Sequence, residues 1–132
     1  MTALYLIFSH RLTADQEKDA FTELGVERIH YLPQELQAIW SNVPPELPHV
    51  SEFIRPIKDW LKKHVQPGDY LLVQGDYGAT YQIVKWALVY NCIPVYATTE
   101  RKTVETIENG LVTIVRLFEH VRFRFYEEKQ YF

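Results

Sequence analysis

The chain has 132 residues, a formal net charge of −3, and a composition that is 47% hydrophobic, 14% aromatic and 23% charged. This length and balance predict one globular domain over 1–132 and exclude a disordered or fibrous chain. The acidic net charge argues against a binder of long nucleic acid, which needs a basic face along many phosphates, but it allows a small anion in a local basic pocket. Cys92, the sole cysteine, excludes a disulfide framework and fits a reducing cytoplasm. The apolar run Ala3–Phe8 is too short to cross a bilayer and lacks signal-peptide flanks, so no membrane association is expected.

Ala3 to Phe8 reads as a first strand, apolar throughout and so buried on both faces. Thr13-Ala14-Asp15-Gln16 is a capping box opening a helix, with Ala20, Phe21 and Leu24 inward and Gly25 at its end. Arg28–Leu32 is a short second strand and Pro33–Trp40 a short helix, stopped by the proline-rich "SNVPPELP". Ser51 is a candidate N-cap for the next helix, whose Phe53, Ile54, Ile57, Trp60 and Leu61 share one face. Pro56 lies just past the first turn, where it should cost a hydrogen bond, so this start is fixed only to within a turn. "QPGD" is a turn, Tyr70–Val73 a third strand, Ala79–Tyr90 an apolar helix and Ile93–Ala97 a fourth strand. Alternating strands and helices imply right-handed crossovers and an α/β, Rossmann-like, mainly parallel sheet flanked by helices. Asn109-Gly110 then marks a C-terminal antiparallel β-hairpin, starting at Thr103 and added to the sheet edge.

"QGDYGAT", Gln74–Thr80, joins the third strand to the apolar helix. Two readings fit it: a tight connection needing glycine backbone angles, or a phosphate cradle of unpartnered helix N–H groups. In an open α/β sheet, ligands lie beyond the carboxyl ends of the parallel strands. There the sequence places Ser9, His10 and Arg11; then Gln74, Gly75, Asp76, Gly78 and Thr80; then Thr98, Thr99, Glu100, Arg101 and Lys102. In the last strand, period-two alternation assigns Arg116, Phe118, His120, Arg122, Arg124 and Tyr126 to one face and mainly apolar residues to the other. Such a cationic face is either solvated or lies along a ligand's phosphates, where guanidinium groups pair oxygens. His30, His49 and His64 lack companions at ligand spacing, so no metal is expected, and no sequence signal requires a cofactor.

Five segments in chain order resemble a known family: "LIFSH" (6–10), "YLPQELQAIWSN" (31–42), "LVQGDYGATY" (72–81), "PVYATTERK" (94–102) and "FEHVRFR" (118–124). The family is that of small CRISPR-associated Csx-type proteins of type III systems, related to CARF (CRISPR-associated Rossmann fold) domains. The resemblance implies a CARF-like homodimer binding a cyclic oligoadenylate, foremost cyclic tetra-adenylate, across its two-fold. Some relatives cleave the ring as ring nucleases and end the antiviral signal. CARF domains bind with the loops after the first and fourth strands, matched here by Ser9 and His10 and by Thr98, Thr99 and Arg101. The lysine-centred arrangement of some CARF ring nucleases is absent, which leaves the catalytic group open. Cleavage needs no metal, because the ribose 2′-hydroxyl is a built-in nucleophile. The protein must align it and neutralise the phosphorane, leaving linear adenylates with a 2′,3′-cyclic phosphate. Arg122, Arg124 and the N–H groups of 78–80 are the candidates for charge stabilisation, and His120 and His10 for proton transfer. A binder that sequesters the ring without cutting it needs the same donors and is the alternative.

Overall fold

Strand β1 (Ala3–Ile7) is buried at every position because helices cover both faces of its sheet. Tyr5 and Ile7 point into a core with Trp40, Ile57, Leu61 and Ile83, whereas Leu4 and Leu6 point into a second with Leu12, Ala20, Val95 and Phe123. The computed structural model describes residues 1–128. After β1 come α1 (Ala14–Thr22), β2 (Arg28–Tyr31), α2 (Gln34–Ser41), α3 (Arg55–His64), β3 (Tyr70–Val73), α4 (Tyr77–Val89), β4 (Ile93–Glu108) and β5 (Leu111–Phe125). They form an α/β fold on one mixed sheet of order β2-β1-β3-β4-β5, in which only β5 runs antiparallel. Among the described residues, no helix is long and apolar enough to cross a membrane.

The capping box forms as expected: Gln16 N–H donates to Thr13 Oγ1 at 3.2 Å and Thr13 N–H to Gln16 Oε1 at 2.9 Å. Ala20 is fully buried, but Phe21 is 46% exposed and is not part of the inward stripe. Ser51 does not cap α3. Its hydroxyl donates to Gln82 Oε1, and the helix starts one turn later with Pro56 in the first turn, where no intrahelical donor is needed. Helix α4 starts at Tyr77, earlier than Ala79, because the Asp76 carboxylate caps it by accepting from Ala79 N–H at 3.0 Å.

Two expectations about the last strands are corrected. The fourth strand does not stop at Ala97: it runs unbroken to Glu108, held by pairing with β5 along its length. Thr98, Thr99 and Arg101 are therefore strand residues and not a loop. The alternation of β5 is also broken. Thr98 pairs with Arg122 and Thr99 with His120, so Val121 is an extra residue, and this bulge moves His120 off the face of Arg122 and Arg124. His120 instead shares the α1 side with Phe123, its ring 4.9 Å away.

Candidate functional site

The carboxyl edge of the sheet is tied together residue by residue. Trp40 in α2 donates from Nε1 to the Gln74 carbonyl at 2.9 Å. Its indole lies so close to Gly75 that an added Cβ would be 2.6 Å from Nε1, so this glycine answers a close approach and not a positive φ. The side chain of Gln74 reaches sideways, its Oε1 accepting from Ala97 N–H in β4 at 2.7 Å. Ser9, at the end of β1, is held by α2: Ser41 Oγ donates to Ser9 Oγ at 2.9 Å and Gln37 Nε2 to the Ser9 carbonyl at 3.3 Å. Thr98 Oγ1 donates to the Arg122 carbonyl and accepts from Arg122 N–H, which satisfies backbone groups that the bulge displaces. Arg124 Nη1 donates to Tyr96 OH at 3.0 Å, with its guanidinium 5.4 Å from the Tyr96 ring.

These bonds frame two adjoining clefts. One, about 360 Å³, is lined by Gln74, Gly75, Tyr77, Thr80, Tyr96 and Tyr126. The other, about 430 Å³, is lined by Tyr96, Arg124, Phe125, Tyr126 and Glu127. They share the Tyr96–Tyr126 pair, whose ring centroids are 4.8 Å apart. Tyr126 donates its hydroxyl to the Val73 carbonyl at 2.7 Å, and burial, then the neighbouring Tyr96, raises its pKa, so it stays a neutral donor. Thr80 Oγ1 is buried and finds no partner among the described residues. The helix end is less open than the sequence implied. Asp76 takes Ala79 N–H with its carboxylate and Thr80 N–H with its carbonyl, so the N–H groups of Tyr77 and Gly78 are the ones left facing outward.

The remaining candidates lie elsewhere. His10 is exposed just past β1, its ring edge-on to Phe8 at 5.3 Å. His120 is buried against α1: Nε2 lies 2.7 Å from Asp19 Oδ2, and Nδ1 has no partner among the described residues. Arg122 lines a different cleft, of about 310 Å³, together with Asp19 and Glu23. Thr99 is exposed at the bulge, and Arg101 is exposed over Phe118, 5.4 Å from its ring centroid. Tyr96 and Tyr126 were not singled out from sequence as site residues, although the alternation around the "PVYATTERK" segment contains the signal. A larger groove of about 750 Å³ runs past His49, Lys58, Tyr81, Gln82 and Lys85. Its lysines are already engaged, Lys58 with Gln82 Oε1 at 2.6 Å and Lys85 over the Tyr81 ring.

The fold and this edge define an α/β protein with a tyrosine-walled cleft beyond its parallel strands. The chain belongs to the uncharacterized protein MJ1673 family, whose model matches residues 2–124. It is 46% identical over 126 residues to the uncharacterized protein MJ1673 of Methanocaldococcus jannaschii, covering 96% of this chain and 98% of that protein. No solved structure matches the chain.

Proposed function

We propose that the protein is a CARF-like, Rossmann-type binder of cyclic oligoadenylate, with cyclic tetra-adenylate the first candidate, held across the two-fold of a homodimer. We further propose that it opens the ring without metal, as a ring nuclease that ends type III CRISPR signalling. One observation carries the reading. The five segments of the family resemblance are far apart in sequence, yet hydrogen bonds from Ser9 through Ser41, Trp40, Gln74, Ala97 and Tyr96 to Arg124 bring them to one edge. What lines the clefts suits a nucleotide: tyrosine rings for a base, and Arg124 with two helix N–H groups for phosphate.

The chemistry asks little of the protein beyond alignment. Attack of a ribose 2′-oxygen on the adjacent phosphorus expels the neighbouring 5′-oxygen, and Arg124 with the Tyr77 and Gly78 N–H groups would hold the charge that builds. His10, exposed beside Ser9, takes over from His120 as the proton carrier, because His120 is committed to Asp19. Sequestration without cleavage is the second reading, favoured by that same commitment of His120. Incubation with labelled cyclic tetra-adenylate in EDTA separates them. Linear products with a 2′,3′-cyclic phosphate support the nuclease, a stable complex without products supports the binder, and no complex removes both.

A further inference from the structure

Gly78, Tyr81, Gln82 and Lys85 follow one another at helical spacing on one face of α4. Opposite them stand Lys58 of α3 and residues 48–51, the end of the proline-rich stretch that precedes that helix. The groove of about 750 Å³ runs between these walls and is larger than either tyrosine cleft. Its chemistry is one-sided. Ser51 Oγ donates to Gln82 Oε1 at 2.9 Å, and Lys58 Nζ donates to the same oxygen at 2.6 Å. That oxygen accepts twice, which leaves the amide Nε2 as a donor, and Lys58 has used one of its three N–H groups. Lys85 sets its ammonium 5.2 Å from the centroid of the Tyr81 ring, which is 63% exposed. Both lysines therefore meet uncharged groups, and among the described residues lining the groove there is no carboxylate. Glu52 and Asp59 share an adjoining cleft with Lys58, but Glu52 is paired with Arg55 at 2.6 Å. Burial, then Lys62 and Arg55, lower the pKa of Lys58 against the opposing pull of Glu52, so positive charge is in excess here.

We propose that this groove is a further ligand site, for an organic phosphate about the size of one nucleotide, with its phosphate held by Lys58 and Lys85 and its flat ring against Tyr81. The donor set selects the phosphate. Two ammonium groups and an amide N–H offer hydrogen-bond donors and positive charge, and phosphate oxygens accept from several such donors at once. The tyrosine selects the ring. A base stacked on Tyr81 brings the anionic end of the same molecule within reach of Lys85, and Pro48 and Val50 give the opposite wall apolar surface. An inorganic anion would leave this aromatic and apolar lining unused. The volume is that of a small-molecule site. None of the residues lining this groove lines either tyrosine cleft, so the proposal stands whether or not a cyclic adenylate binds there.

The test is calorimetric titration of the full chain with ADP, and with pyrophosphate and adenosine as its two halves. ADP should bind saturably, and each half about tenfold more weakly or worse. K58Q/K85Q should weaken ADP binding about tenfold or more and Y81A about fivefold or more, whereas R124A leaves it unchanged. Added salt should weaken binding to the wild type more than to K58Q/K85Q, because screening acts on the charges that the double variant lacks. If the loss of Lys58 loosens α3 from α4, seen as a lower melting temperature, K85Q alone carries the test. Lys85 is exposed, and its loss should cost about threefold or more in ADP affinity at an unchanged melting temperature. Three results overturn the proposal: no ADP binding at millimolar concentration, binding that the lysine variants leave unchanged, or pyrophosphate bound as tightly as ADP. Loss of ADP binding in R124A with K58Q/K85Q unaffected would assign ADP to the tyrosine clefts and overturn it as well.

Discussion

At the scale of single residues, the structure gives chemically similar side chains different work. Arg124 borders the tyrosine clefts, whereas Arg122 faces Asp19 and Glu23. Arg124→Ala is expected to weaken cyclic tetra-adenylate binding on the order of tenfold to a hundredfold, the value of a hydrogen bond to a charged group, and to flatten its salt dependence. Arg122→Ala should do neither, and titrations at two salt concentrations check both. His120→Ala should cost about 1–3 kcal/mol in urea unfolding, because it strands Asp19, with single-turnover cleavage unchanged. His10→Ala should leave stability alone and slow cleavage on the order of a hundredfold. If the two histidines exchange these phenotypes, the proposed roles are reversed. Cys92 gives a pH signature: burial, then the charge of Asp69, pushes its thiol up to about 11 from 9.0. The folded chain thus keeps this proton where the unfolded chain loses it. The contribution is complete below pH 9 and is lost as pH rises toward about 11. Urea midpoints should fall across that window, and fall less in Cys92→Ala.

At the scale of elements, the junction of β3 and α4 depends on Trp40 filling the space a side chain at residue 75 would take. Gly75→Ala would press a methyl onto the indole and break its bond to the Gln74 carbonyl, at a cost of about 1–3 kcal/mol read from chemical denaturation. An unchanged midpoint would mean that the indole moves freely. Strands β1 to β3 and helices α1 to α4 were legible in the sequence because apolar runs, the Thr13 capping box and the proline and glycine breaks act locally. The run from Thr98 to Lys102 read as a loop because its polarity is that of a strand end, and only pairing with β5 keeps it extended. The bulge at Val121 was invisible for a related reason. One inserted residue leaves no local signal, yet it exchanges the faces of everything beyond it. The His120–Asp19 pair, 101 residues apart in sequence, is a product of the fold.

For the whole molecule, the rule that ligands lie beyond the carboxyl ends of parallel strands singled out Ser9, Gln74, Gly75 and Thr80 from the sequence, whereas Arg124 came from the alternation of the last strand. The aromatic wall was less legible, since Tyr96 and Tyr126 meet only once β4 and β5 pair. The central claim, recognition of a cyclic oligoadenylate ring, is tested most directly by calorimetric titration of the wild-type chain with cyclic tetra-adenylate. The account predicts saturable binding of one ring per two chains, with a linear tetra-adenylate bound far more weakly. Absence of binding, or equal affinity for the linear form, would contradict it.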